Sequence, residues 1–292
     1  MHKMTATVAR GGGFIARLAL ISILPIASAK ASDLNVFHAD SLAGPMRALK
    51  QAFEAKHPGT TVNLTSGVSR DLARRILGGE ACDVFAPSSP AVIDQDLMNK
   101  KLAGSDRDAA SWYVVFSANE MVVITAKGNP LGIRKVGDLA AAQVKFARVT
   151  GEKDLATART VEFLKRAAAQ EGQAELAQKI IDSAPADPAK PSTVPDTVKA
   201  VKDGQAHAGV VYYSAAVAAR NDVDILRFPD SVNMSEAIRN AATVPGGARH
   251  AQEATAFVAF LLSAEAQGIL KDTGQPPVMP AIRKGAVPVA LD

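Results

Sequence analysis

Three hydroxyl-bearing side chains stand where the chain passes from an extended apolar run into a helix. They are Ser41 in "NVFHADSLAGPM", Ser69 in "TSGVSRDLARRI" and Tyr212 in "HAGVVYYSAA". A helix N-terminus carries unpaired N–H groups and a partial positive charge. A hydroxyl placed there either caps the helix or joins those donors in holding an anion. Both readings are open for Ser41, and for Ser69, which occupies an N-cap position ahead of "RDLARRILGG". Tyr212 either packs as a core aromatic or turns its phenol toward the same ligand.

The elements that must position these residues follow from periodicity. The β-rich runs "TTVNL", "CDVFAPSS", "WYVVFSANEMVVIT", "AHAGVVYY" and "VDILRFP" are separated by segments of helical period. Those segments include 46–56, the long "GEKDLATARTVEFLKRAAAQEG", "DTVKAVKDGQ" and "ARHAQEATAFVAFLLS". Alternating strands and helices predict an α/β fold with parallel sheets and βαβ units. In such sheets ligands bind at the carboxyl ends of strands, where the three hydroxyls lie.

The first 31 residues read differently. "MHKMTATVARGGGFIARLALISILPIASAKA" has a basic start, an apolar centre at 18–26 and the small-residue end Ala29-Lys30-Ala31. That is the layout of a secretory signal peptide cleaved near Ala31, and its apolar stretch is short of the roughly 20 residues a membrane span requires. The whole chain has 33 Lys+Arg against 29 Asp+Glu, and residues 1–31 hold four of the bases and no acid. The exported chain is therefore balanced at 29 against 29, which gives no argument for nucleic acid or a membrane surface. The single cysteine, Cys82, leaves no internal disulfide and reads as a small buried filler at the start of a strand.

Other chemistries find little support. His38, Asp40 and Ser41 contain the side chains of a hydrolytic triad, but strand neighbours point to opposite faces. There is no GxSxG elbow, no GxGxxG or GxxxxGK[ST] loop and no Cys/His spacing for zinc. An enzyme is not expected. Arg70 and Arg159 could each add a positive charge beside a bound anion, but both read first as solvated helix residues.

The ordered set "VFHADSLAGPM", "SGVSRDLARRI", "ACDVFAPSSPAVID", "GQAHAGVVYYSAA" and "AFVAFLLSAEAQGILKDTGQPPVMP" resembles the periplasmic molybdate/tungstate-binding proteins of ABC importers. The resemblance implies a two-lobed type II periplasmic binding fold, each lobe a sheet flanked by helices, joined by a two-strand hinge near 119–125 and 238–245. One lobe would comprise 32–121 plus 242–292 and the other 122–241. By the same resemblance the ligand contacts would be Ser41, Ser69, Tyr212, the backbone N–H groups of Ala156 and Val194, and, at the rim, Asp154. The chain departs from the family at Val194, where the archaeal branch has a second carboxylate, and in "LATART". A tetrahedral oxyanion held by neutral donors is therefore favoured over expanded coordination. The resemblance implies a monomeric carrier with no resident cofactor, molybdate or tungstate as cargo and a membrane permease as partner. Two alternatives stay open: another oxyanion such as sulfate, or ferric ion held by the phenolates of Tyr212 and Tyr213.

Overall fold

The structure, a computed structural model, describes residues 1, 2, 5, 32–152 and 154–291. The leader read over 1–31 lies outside the described residues apart from positions 1, 2 and 5. From there the chain runs β1 (Ser32–Ala39), a 3-10 turn (Asp40–Leu42), α1 (Ala43–Lys56), β2 (Thr60–Gly67), α2 (Ser69–Leu77), β3 (Val84–Ala86), α3 (Pro90–Asp96) and β4 (Trp112–Ala118). It continues through β5 (Met121–Ala126), β6 (Phe146–Ala147), α4 (Leu155–Gln170), α5 (Leu176–Ser183), α6 (Val194–Lys202) and β7 (Ala208–Tyr212). The remainder is α7 (Tyr213–Ala218), β8 (Val223–Leu226), α8 (Asp230–Asn233), β9 (Arg239–Ala242), α9 (Ala251–Leu261), α10 (Ala264–Asp272) and β10 (Pro277–Gly285).

Helical spacing of apolar residues decides which faces are buried. In α1, Met46, Leu49 and Phe53 fall on one face and are covered, and the helix stops at His57-Pro58-Gly59, where Gly59 turns with φ of 93°. Phe53 meets the rings of Phe257 and Phe260 on α9, with centroids 5.0 and 5.6 Å apart. In α4 the buried stripe is Ala156, Arg159, Thr160, Phe163, Leu164, Ala167 and Ala168, which puts an arginine in line with the core. With no disulfide available, stability rests on such burial, at about 1.5–3 kcal/mol for each large apolar side chain.

The strands form three sheets, in the orders β2-β1-β3, β10-β4-β9 and β6-β7-β5-β8. The first is parallel, and β6 pairs parallel with β7. The pairings of β4 with β9 and β10, and of β5 with β7 and β8, are antiparallel. The first sheet is thus parallel, as strand–helix alternation predicts, whereas the second is antiparallel and the third is mixed. The cause is the chain path: β4 and β5 follow one another but belong to different sheets, so the chain passes between them at Asn119-Glu120. The second sheet is then built of antiparallel neighbours, and in the third β5 runs against both β7 and β8. An isolated antiparallel bridge between Phe85 and Thr243 ties the first sheet to the second.

Around the first two sheets lie apolar clusters drawn from 34–118 and 241–291; around the third lie clusters drawn from 121–238. The passages between them are cross-bonded. Asn119 N–H donates to the Ile238 carbonyl (3.0 Å), and Tyr213 N–H to that of Glu120 (2.8 Å). The Glu120 carboxylate is buried and accepts from Arg227 Nε (2.5 Å) and Asn233 Nδ2 (2.8 Å). Among the described residues no single helix is long and apolar enough to cross a membrane.

Candidate functional site

Neither predicted capping serine caps its helix. Ser69 is the first helical residue of α2, and the N-cap position falls on Val68, which makes no side-chain cap. With its backbone already in the helix, the Ser69 hydroxyl instead accepts a hydrogen bond from Ser88 N–H, at 3.3 Å. Ser88 belongs to the turn from β3 into α3, so one hydroxyl joins two strand–helix turns. Ser41 sits in the 3-10 turn between β1 and α1, and neither that turn nor α1 has a side-chain cap. Its carbonyl accepts from Ser214 Oγ (3.4 Å) and Gln275 Nε2 (3.2 Å), while its hydroxyl bonds to none of the described residues.

Tyr212 ends β7, opposite Met121 of β5, and is buried. Its phenol oxygen accepts from Arg159 Nη1 at 2.9 Å, and Arg159 Nη2 donates to the Ser88 carbonyl at 3.1 Å. An arginine only donates, so the phenol proton remains available to another acceptor. Burial raises the Tyr212 pKa above the ordinary phenol value; Arg159 opposes this and the charge of Asp154 adds to it. The phenol is therefore protonated, and a donor, at neutral pH.

Arg159 is only 9% exposed, which overturns its reading as a solvated residue. Its place three residues after Ala156 and four before Phe163 sets it on the buried stripe of α4. That spacing is the signal in the sequence that could have found it. Arg70 matches its expectation: it is exposed and paired with Asp96 (3.1 Å) and Gln95 (3.0 Å). Ser88 and Arg159, neither of them among the predicted contacts, together connect two that are. Tyr212 accepts from Arg159, Arg159 donates to the Ser88 carbonyl, and Ser88 N–H donates to Ser69.

At the start of α4 the geometry differs. Asp154 is a true N-cap, and its Oδ1 accepts from Ala156 N–H at 2.8 Å. The backbone donor expected at Ala156 is therefore already engaged by the carboxylate expected at the rim. Val194 opens α6 behind Thr193, whose hydroxyl accepts from Asp196 N–H while the Asp196 side chain reaches back. As a first-turn residue Val194 has no intrahelical acceptor for its N–H. Its loop lies beside that of Asp154, because Thr150 N–H donates to the Ser192 carbonyl (3.0 Å) and Ser192 N–H to Thr150 Oγ1 (2.8 Å).

The triad-like residues do not form a relay. Asp40 accepts from Ser66 Oγ, and the His38 ring nitrogen Nδ1 contacts the Ala39 carbonyl at 2.9 Å. Burial lowers the His38 pKa. The two tyrosines diverge: Tyr212 joins the cluster of Met121 and Phe163, whereas Tyr213 packs against that of Val122 and Ile124, with Arg227 4.6 Å over its ring. No group of three or more His, Cys, Asp or Glu among the described residues could hold a metal ion. Cys82 is buried, its Sγ 3.2 Å from the Val84 carbonyl, and burial raises its thiol pKa far above the usual range.

The sequence profile described as bacterial extracellular solute-binding protein matches residues 34–275. The chain is 28% identical over 247 residues to the molybdate-binding protein ModA of Mycobacterium tuberculosis, covering 84% of this chain and 84% of that protein. Among solved structures, the periplasmic molybdate-binding protein of Azotobacter vinelandii superposes with a TM-score of 0.62 at 18% identity, over 85% of this chain and 99% of that one. The sulfate-binding protein SubI of Mycobacterium tuberculosis gives 0.64 at 16% identity, over 85% and 88%. Iron-bound HitA of Pseudomonas aeruginosa gives 0.57 at 20% identity, over 88% and 89%. At these identities the superpositions speak for the fold and leave the ligand open.

Proposed function

The chain belongs to the bacterial extracellular solute-binding protein family and has the two-lobed type II periplasmic binding fold, and we propose that its cargo is a tetrahedral oxyanion, molybdate or tungstate. The observation that carries this reading is the hydrogen-bonded path Tyr212–Arg159–Ser88–Ser69. It runs from the β7 side of the molecule to the β3 side. It ends at two hydroxyl groups, on Tyr212 and Ser69, whose protons have no acceptor among the described residues. Ser41, half-buried, adds a third hydroxyl without an acceptor among the described residues. Buried donors without acceptors are unfavourable, and an oxyanion is the ligand class that offers acceptors in several directions at once. The 28% identity to a molybdate-binding protein over most of the chain supports the same cargo.

In this reading the lobes are 32–121 plus 242–292 and 122–241, and they close on the anion about the Asn119-Glu120 and 238–245 crossings. Ser41 and Ser69 contribute from one lobe; Tyr212 and the N–H of Val194 contribute from the other. Asp154 and Ala156 form a capped rim. The protein is exported through its cleaved leader, acts as a periplasmic monomer and hands the anion to the membrane permease of an ABC importer, with no catalysis of its own. Sulfate, a tetrahedral dianion that the same hydroxyl and N–H donors would accept, is the second reading. Ferric ion is disfavoured by the divergence of the two tyrosines.

The test is isothermal titration of residues 32–292 with molybdate, tungstate, sulfate and ferric citrate in parallel. Tight one-to-one binding of molybdate or tungstate is the expected result. A ferric complex that depends on Tyr212 and Tyr213, with no response to the oxyanions, would refute the reading.

A further inference from the structure

Arg159 differs from the other positions considered as ligand contacts, all of which offer neutral donors or, at Asp154, an acid. It is nine-tenths buried, and among the described residues its side chain bonds to no carboxylate. A buried charge without a counter-charge is costly unless something else neutralises it. Its two hydrogen-bonding partners are neutral: the Tyr212 phenol and the Ser88 carbonyl. Two of its five N–H groups are accounted for in this way, and three remain. The nearest acid along the helix, Asp154, is engaged as the cap of α4 through Ala156 N–H. The cation is thus fixed between the two hydroxyls whose protons are free, with no carboxylate bonded to it.

We infer that Arg159 is the specificity-determining counter-charge of the anion site, selecting fully ionised dianions over monoanions of the same shape. The inference rests on the oxyanion reading above and adds to it. Neutral hydroxyls and backbone N–H groups recognise oxygen positions and respond to any tetrahedral oxyanion of the right size. The attraction of a fixed cation is proportional to the charge of the ligand, so it is twice as large for a dianion as for a monoanion at the same place. Because Arg159 also holds the Ser88 carbonyl across the site, an anion bound to it would draw together the turns that carry Ser69 and Tyr212.

Tungstate and perrhenate are tetrahedral oxyanions of nearly equal size that differ by one charge, so their affinity ratio reads the charge term directly. Both are titrated into residues 32–292 of the wild type and of Arg159→Gln and Arg159→Lys, each checked for native circular dichroism and thermal unfolding. The wild type is expected to prefer tungstate strongly. Arg159→Gln should lose about 30-fold or more in tungstate affinity and much less for perrhenate, so that the ratio collapses. Arg159→Lys, which keeps the charge and loses the fork, should retain most of the ratio. An unchanged ratio in Arg159→Gln, or equal collapse in both variants, would overturn the inference while the oxyanion reading stands. A wild type that binds neither anion would overturn both together.

Discussion

The entrances to α2 and α4 are built from the same materials and do opposite things. Each is a strand or loop that delivers a short polar side chain to a helix N-terminus. At α4 the polar residue is one step outside the helix, at Asp154, and its carboxylate closes over Ala156 N–H. At α2 the outside position is taken by Val68, and the serine is one step inside, where its hydroxyl faces Ser88 instead of its own backbone. One residue of register separates a helix end that is satisfied internally from one whose donors are left for a partner. A serine near a helix start is informative only once its exact helical position is known.

Substitutions at the two entrances test this difference. The largest effect is expected from Ser41→Ala combined with Ser69→Ala. Hydrogen bonds to a charged partner contribute roughly 1.5–3 kcal/mol each, so the double variant should lose at least ~100-fold in molybdate affinity by titration calorimetry, and some thermal stability because Ser88 N–H loses its acceptor. Preserved affinity would mean that the open entrance is not where the anion lies. Next comes Val68→Asp, which gives α2 the cap that α4 already has. It should raise stability by about 0.5–1 kcal/mol in chemical denaturation, and at the same time weaken anion binding several-fold through repulsion.

The reverse experiment is at Asp154. Asp154→Asn keeps a competent cap and removes the charge, so molybdate affinity should rise by a few-fold at nearly unchanged stability. Asp154→Ala also frees Ala156 N–H, and should raise affinity further while costing about 1 kcal/mol of stability. A fall in affinity for both would show the carboxylate to be a ligand contact after all. The smallest effect concerns the third entrance. The Tyr212 phenol has its pKa raised by burial, so the stability that its protonated form contributes is fully present below the ordinary value of about 10. It is lost only as pH rises through the higher folded value. An ultraviolet difference titration of wild type against Tyr212→Phe should show that one tyrosine ionising late, with anion affinity insensitive to this phenol between roughly pH 7 and 9.

Much of the fold was legible because its signals are local. The apolar run "WYVVFSA" is buried at every position, as a strand covered on both faces should be, and the spacing of Met46, Leu49 and Phe53 gave α1 its inner face. The antiparallel pairings were not legible, because strand direction is set by where Asn119-Glu120 carries the chain, and no periodicity records that. The site divides in the same way. Ser41, Ser69 and Tyr212 stand at strand ends, where sequence pattern points, whereas the Ala156–Asp154 bond depends on which residue is first in the helix, a matter of one position. Arg159 was hidden by its type: charge suggests solvent, and only its register with Phe163 and Ala167 argues otherwise. Ser88 acts through its backbone, and side-chain identity carries no trace of that.

Cys82 gives the molecule a practical property. It is the sole sulfhydryl in the sequence and it is buried, bonded to a strand carbonyl and disinclined to ionise, so alkylating and maleimide reagents will leave the native protein unmodified. Val68 and Leu155, both surface-accessible, adjoin the entrances to α2 and α4. Cysteines introduced at those two positions would be the only sites to accept fluorophores, and energy transfer between them would report how the two entrances move as an anion is added.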